Sequence, residues 1–524
     1  MKKAKKLTAF ILSALCALGA ATGCGGGNDK TESNAPDYSK SKQEYTIWAY
    51  SGTCDDWYQV AGQRYYFEDG TRQTAERTKL YADGGFNILF VDWTFTYGGN
   101  SAEDFAKSST KRVMDLAYEQ GLKCFVFVGS LHTLSSTKES LINPEKANGN
   151  TFFASQEELN AYVAKKLEGI KDHPAFYGCS LVDEPWYTQF DAIGQVYQAI
   201  QAVAPDCFVN MNLNPMSYDL RALTRYSKEA ADKYGKYVLP DGSLADDKPS
   251  ASMDEVRKFY KQYLEVYYEK IGKYCGYVGY DSYPLLNTEA KWLDYFTLKE
   301  HLDNAQVVAE FCEQKDMRFG HVYQTYGNNS RRATTETDMY WQANVGMAFG
   351  VKDHSYYTYY PIVNSSDLPN ETMYIVDREG NPNDRYYWLK DIHEEMQFNA
   401  KALMNFEYRA ASYCLGSGYE WNDEYITRMT RESLTDVKDM AVEGNGAALV
   451  TEQFDKKNLQ TGYYVMNVTD PLNTTEIKVT LWINGYDRVQ VYDGTKVTEK
   501  DVKNGKVSFY LTTGRGVFVM PYNK

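Results

Sequence analysis

The chain lacks the signatures of several chemistries. It has no Cys-x-x-Cys pair, no His-Glu-x-x-His helix, no Gly-x-Ser-x-Gly elbow and no phosphate-cradling glycine loop after a strand. Zinc-binding, zincin, α/β-hydrolase and nucleotide-binding readings therefore have no support. Positive charge is short as well: 56 Lys and Arg stand against 70 Asp and Glu, a formal charge of −14. Nucleic acid and anionic lipid surfaces are poor partners for such a chain. The acidic spots Asp55-Asp56 and Asp246-Asp247 lack an EF-hand pattern and read as solvated loops. No metal or organic cofactor is expected. Cys54, Cys124, Cys179, Cys207, Cys275, Cys312 and Cys414 are dispersed, several of them in strand-like runs. They read as small buried residues rather than as a disulfide framework.

No apolar run reaches the roughly 20 residues of a spanning helix. The N-terminus instead has Lys2, Lys3, Lys5 and Lys6, a short apolar stretch over 7–18, and small residues up to Gly23. This is a secretory signal pattern. Ala21-Thr22-Gly23-Cys24 resembles a bacterial lipobox, with Ala21 where Leu is commoner. The resemblance implies that residues 1–23 are removed, that Cys24 becomes a lipidated N-terminus, and that 24–44 is a flexible tether. The expected location is the extracellular side of a bacterial membrane, with contact through the lipid alone. Loss of the four signal lysines takes the charge from −14 to −18.

Aromatic residues are abundant: 46 Tyr, 23 Phe and 9 Trp make up 15% of the chain. A flat apolar face with a polar tip matches the C–H faces and hydroxyl rims of sugars, although most of these rings must serve packing. Along 45–405, strand-like apolar runs at 45–50, 88–93, 124–128, 176–182, 207–213, 274–280, 319–323 and 355–359 alternate with helical patterns. Ser155 with Glu158 and Ser252 with Glu255 read as capping boxes. Eight strands each followed by a helix predict an α/β fold, a (β/α)8 TIM barrel. The polar segment 216–251 is an excursion after the fifth strand, on the side where such a fold carries its chemistry. From 406 to 524 the pattern changes to short alternating runs with Asn484-Gly485, Asp493-Gly494 and Asn504-Gly505 as hairpin turns. This predicts an antiparallel β-sandwich domain.

The strand ends carry the candidate site. Strand two ends in Asp92-Trp93, and strand three leads to His132. Strand four ends in Asp183-Glu184-Pro185-Trp186, and strand five carries Asn210, Asn212 and Asn214. Strand six ends in Asp281-Ser282-Tyr283, strand seven in Gln324-Thr325-Tyr326, and strand eight carries Tyr357, Tyr359 and Tyr360. Carboxylates, amides and rings around one mouth suit a neutral polyhydroxylated ligand. One of two adjacent carboxyls is readily held protonated, as acid catalysis of glycoside cleavage requires.

This pattern resembles the (β/α)8 glycoside hydrolases that place a Glu-Pro pair after strand four. The resemblance spans about 45–405 and implies that Glu184 is the general acid/base and that Asp183 takes the place of an Asn contacting a sugar hydroxyl. The family's strand-seven nucleophile is a Glu, and this chain has Gln324 there. The second carboxylate is expected to be Asp281, with Asp92 a further candidate, and a retaining or an inverting reaction is open. Expected substrate contacts are Asp183, Asp92, Trp93, Trp186, Asn212, Tyr283, Gln324 and Tyr326. Trp48 is divided between sugar stacking and packing, and His132 and His354 read as structural. The runner-up is a cell-surface glycan-binding lipoprotein on a barrel that has lost catalysis.

Overall fold

The computed structural model describes residues 36–54, 57–60, 63–66, 72–91, 96–286, 298–327, 331–361, 374–419 and 432–523. The expected signal segment, Cys24, most of the tether, and Asp92 and Trp93 lie outside the described residues. Among the described residues no helix is long and apolar enough to cross a membrane.

Eight strands form two four-stranded parallel sheets. One contains β2 (Ile88–Val91), β3 (Lys123–Phe127), β4 (Phe176–Asp183) and β5 (Phe208–Asn212) in that order. The other runs β1 (Thr46–Ala49), β8 (Asp353–Tyr357), β7 (Arg318–Gln324), β6 (Tyr277–Asp281). The sheets meet at both seams. Leu213, just past β5, bridges Tyr280 of β6 in parallel. At the other seam the Ile47 N–H donates to Asn87 Oδ1 at 2.8 Å, and the Asn87 N–H donates to the Ile47 carbonyl at 3.0 Å.

Each strand is followed by a helix: α1 (Ala75–Asp83), α2 (Ser109–Glu119), α3 (Gln156–Leu167), α4 (Phe190–Val203), α5 (Met253–Tyr267), α6 (Leu298–Lys315), α7 (Glu336–Ala348) and α8 (Asp384–Leu403). Side-chain caps set their starts: Thr74, Ser108, Ser155, Ser252, Thr335 and Asn383 each accept a first-turn N–H. Ser252 and Glu255 form the reciprocal box. Ser155 caps α3, but the Glu158 carboxylate accepts from the Ala154 N–H at 2.9 Å, so the box expected there is not closed.

The period-2 alternation of the strands separates two cores. Trp48, Ile88, Phe90, Phe125 and Phe127 form an inner aromatic cluster, with Tyr50, Tyr177 and Phe208 against it. Their neighbours Ile47, Ala49, Leu89, Val91, Cys124 and Val126 belong to the large outer core shared with the helices. Five of the seven cysteines are buried and the other two are half-buried.

The C-terminal strands are antiparallel. A six-stranded sheet orders β9 (Glu407–Leu415), β11 (Ala447–Asp455), β12 (Gln460–Asn467), β17 (Gly516–Tyr522), β14 (Arg488–Tyr492) and β15 (Val497–Asp501). A three-stranded sheet orders β10 (Val437–Glu443), β13 (Glu476–Ile483) and β16 (Lys506–Thr512). Val450, Tyr463, Val465, Val479, Leu481 and Phe509 fill a core of their own. Of the three expected hairpin turns, only Asp493-Gly494 joins strands paired to each other. Asn484-Gly485 and Asn504-Gly505 carry the chain from one sheet to the other. The strands lean on α7: Tyr464 donates to Asn344 Oδ1 at 2.5 Å, Thr451 to the Ala348 carbonyl at 2.6 Å, and Trp341 Nε1 to the Val468 carbonyl at 3.2 Å. This explains why residues 338–348 of that helix are buried all round.

Candidate active site

The site begins with a fault in the β4–β5 ladder. The register is regular to Ser180 opposite Asn210, then slips before Asp183 opposite Asn212. Such a bulge re-aims the side chains beyond it. His132 Nδ1 lies 2.6 Å from the carbonyl of Leu181 in the slipped stretch and satisfies it. His132 thus holds the strand end in place, and its ring packs on Phe127.

Glu184 follows with φ 42°, in the left-handed region that ordinary residues avoid. Such a backbone costs about 1–2 kcal/mol and persists only when its surroundings enforce it. The enforcing contacts are present. The Glu184 N–H donates to the Asn212 carbonyl at 2.8 Å. The Pro185 carbonyl accepts from Tyr263 at 2.6 Å and from Asn214 Nδ2 at 2.7 Å. The Trp186 N–H donates to Gln189 Oε1 at 2.7 Å, and Gln189 Nε2 donates to the Ser136 carbonyl at 3.0 Å. The Asp-Glu-Pro-Trp turn is pinned at each step.

Three carboxyls face one another here. Asn212 Nδ2 donates to Asp183 Oδ1 at 2.8 Å. Asp183 keeps a solvent-accessible face within a recess of protein atoms, and burial raises its carboxyl above the usual range against the pull of Asn212 and His132. Burial also raises Glu184, and the charge of Asp183 raises it further. Arg225 opposes this, with Nη1 3.4 Å from Glu184 Oε2. Asp281 is 5% exposed, and its Oδ1 has no hydrogen-bond partner among the described residues. Burial, then Glu184, then Asp183 hold it well above the ordinary carboxylate range, with Tyr283 pulling the other way. Groups this strongly linked titrate as a set, and the set keeps a proton to higher pH than a lone carboxyl would.

Rings close the recess. Tyr283, Tyr326 and Tyr357 are half-buried and in mutual contact, with centroids 5.3–5.6 Å apart. Tyr50 reaches Tyr357 at 6.1 Å, and its hydroxyl feels the charges of both Asp183 and Asp281. Beside them, Glu184, Trp186, Asn214, Ser217, Arg225 and Arg331 line part of a cavity of about 570 Å³. The excursion after β5 supplies much of its wall, from Pro215 to Gly242. A second cavity, of about 300 Å³, lies at the opposite strand ends around Arg318, Lys352 and Phe406, away from the three acids.

Glu184, Asp183, Asp281, Asn212, Trp186, Tyr283 and Tyr326 therefore come together at one mouth. Gln324 does not join them as a ligand contact. It is fully buried, its Oε1 accepts from the Leu285 N–H at 3.0 Å, and its Nε2 lies 3.1–3.4 Å from the carbonyls of Tyr326, Leu285 and Arg332. It clamps the loops after β6 and β7, and its complete burial keeps it from the open mouth. Trp48 is also packing: it is 1% exposed and donates to Asp353 Oδ1 at 2.8 Å within the inner cluster. His354 is buried against Tyr323, whose hydroxyl lies 2.8 Å from its Nδ1. Tyr359 and Tyr360 pack away from the mouth, Tyr359 against Tyr81 and Phe86. Tyr50 and Arg225 are the site residues that sequence reasoning passed over. Tyr50 ends the first strand two residues after Trp48, which was a usable signal. Arg225 lies within the long excursion, and no local pattern marks it.

No family model matches the chain, and no curated protein matches it. Solved structures similar to it are enzymes of sugar chemistry. A family 39 glycoside hydrolase from Bacteroides cellulosilyticus is 9% identical, with a TM-score of 0.40 over 91% of this chain and 81% of that one. A family 5 glycoside hydrolase from Bacteroides vulgatus is 10% identical, with a TM-score of 0.41 over 91% and 89%. A family 27 β-L-arabinopyranosidase from Geobacillus stearothermophilus is 10% identical, with a TM-score of 0.43 over 93% and 97%. Overlaps this loose decide neither fold nor chemistry, which rest on the strands and side chains above.

Proposed function

We propose that the chain is a secreted glycoside hydrolase: a (β/α)8 barrel over 45–405, followed by a β-sandwich over 406–524. Residues 1–23 are its signal, Cys24 its lipid anchor on the outer side of a bacterial membrane, and 24–44 its tether. The observation that carries the reading is the coupled trio Asp183, Glu184 and Asp281 at the C-terminal ends of β4 and β6, where barrels of this kind keep their chemistry.

Glu184 is the proton donor. Its carboxyl borders the open cavity, and burial with the neighbouring charge of Asp183 favours its protonated form. A glycosidic oxygen takes that proton as its bond to the anomeric carbon breaks. In the state of the set that leaves the shared proton on Glu184, Asp281 is the ionised partner that stabilises the developing positive charge, by attack or by activating water. Asp183, oriented by Asn212, accepts from a sugar hydroxyl. Trp186, Tyr283 and Tyr326 offer faces to the ring. Asp92 and Trp93 stay in this proposal on sequence position alone.

The test is hydrolysis of a glycan panel by the wild type and by Glu184→Gln. Release of reducing sugar by the wild type, reduced about 10²–10⁴-fold in the variant, is the expected outcome. Binding without turnover, unaffected by the substitution, would instead make the protein a glycan-binding module.

A further inference from the structure

The cavity beside Glu184 has the wrong charge for this chain. The protein is acidic overall, at −14, yet the charged residues lining this cavity are Arg221, Arg225 and Arg331 against Glu184 and Asp219. Asp219 and Arg221 neutralise each other, the Arg221 Nε donating to both carboxylate oxygens at 3.0 and 2.8 Å, which leaves Arg225 and Arg331 against Glu184. Above the same wall, the Lys138 ammonium sits 3.7 Å from the centre of the Trp186 ring, and the Arg225 guanidinium lies 5.7 Å from it. The neighbour of Lys138, Glu139, is paired with Lys146 instead. A neutral glycan needs only amides, carboxylates and rings. Cations gathered on one aromatic platform answer a different need.

We propose that the substrate is an anionic glycan, whose uronate carboxylate or sulfate ester lies against Trp186 and is held by Lys138 and Arg225, with Arg331 lining the same cavity. This deepens the hydrolase reading and rests on it for the position of the scissile bond. Arg225 then links recognition to chemistry. In the free protein its Nη1 divides between Glu184 and Asn214, at 3.4 Å from each. Both contacts are long, so the guanidinium is available for a bidentate grip on an arriving anion. Drawing Arg225 toward the substrate takes positive charge from Glu184 and strengthens its hold on the proton it must deliver.

The experiment uses matched pairs: uronate-bearing oligosaccharides against their carboxyl-reduced forms, and sulfated oligosaccharides against their desulfated forms. Hydrolysis and calorimetric affinity are both measured on the intact protein. The charged member of one pair should be favoured by about tenfold or more, and which pair shows it distinguishes carboxylate from sulfate. The preference should fall several-fold in Lys138→Met, a substitution at an exposed position, and in Arg331→Gln, and it should shrink as salt is added. Equal or better handling of the neutral members in both pairs overturns the proposal. So does a preference untouched by both substitutions, or a panel in which no charged member binds. Cleavage of neutral members alone leaves the hydrolase standing and sinks the anionic substrate. Charged members bound but never cleaved do the reverse.

Discussion

The two ends of the same eight strands treat buried charge in opposite ways. At the base, groups of opposite sign stand together and each has a fixed partner for at least one polar atom, while Asp353 Oδ2 and Arg318 Nε are buried without one among the described residues. Asp353 accepts from Trp48 Nε1 at 2.8 Å, and Lys352 Nζ donates to the carbonyls of Leu403 and of Phe406, the latter at 2.7 Å. Arg318 Nη2 donates to Thr46 Oγ1 at 2.5 Å. At the mouth, like charges gather: Asp183 raises the proton affinity of Glu184, and both raise that of Asp281. A backbone strained at Glu184 is held among them. The base is arranged for stability. The mouth gives some stability away to keep protons and carboxylates poised, as reactive sites do.

The comparison can be broken by substitution. Trp48→Ala, which empties the inner cluster at the base, should cost about 3–5 kcal/mol of unfolding free energy in urea. Glu184→Gln should stay within about 1 kcal/mol of the wild type. Similar losses for both would erase the distinction between the ends. Gln324→Glu removes an amide that donates to loop carbonyls and buries an acid among them. It should cost about 2–4 kcal/mol and restore no catalytic nucleophile. Faster hydrolysis in that variant would return position 324 to the chemistry.

Two smaller effects concern pH, and their signs differ. Asp281 binds its proton more tightly in the folded protein than in the unfolded chain. Stability from this group is therefore full below pH ~4, the unfolded carboxylate range, and is lost as pH rises through the higher folded value. Asp281→Asn should match the wild type near pH 4 and melt a few degrees higher at pH 8, while losing activity. A lower melting temperature at pH 8 would mean that Asp281 is a structural anion. For Lys352 the shift is opposite: burial lowers its ammonium from 10.5 to about 7. The unfolded chain then binds more protons between those values, so this group's contribution to stability rises from pH 7 toward pH 10.5. In thermal melts, Lys352→Met should flatten that rise. An unchanged slope would show that the lysine is solvated.

The strands and helices were legible because each is written locally. Apolar runs marked all eight parallel strands to within a few residues, with β4 extended through Asp183 and β6 beginning at Tyr277 rather than at Tyr274. Helices announced themselves by caps such as Ser155 and Ser252. The C-terminal runs were read as antiparallel, but β9, β10 and β15 were not seen. β10 and β15 lie largely in solvent, β15 with Val497 as its sole apolar residue, and β9 followed the last helix without a turn signal. The site was legible as a set of strand ends and not as a set of partners. The role of Gln324 depends on backbone at 285, 326 and 332, and that of Trp48 on an acid 305 positions away. Arg225 meets Glu184 across 41 positions that include α4 and β5. None of these pairings has a periodicity to read.

The central claim is that Glu184 delivers a proton to a leaving sugar oxygen. The direct measurement compares Glu184→Gln with the wild type on two glycosides of the same sugar. One releases an ordinary sugar alcohol, which needs the proton. The other releases a dinitrophenolate, which departs without it. The account predicts a loss of about 10²–10⁴-fold on the first and less than about tenfold on the second. Equal losses on both would contradict it and leave Glu184 without the role of acid.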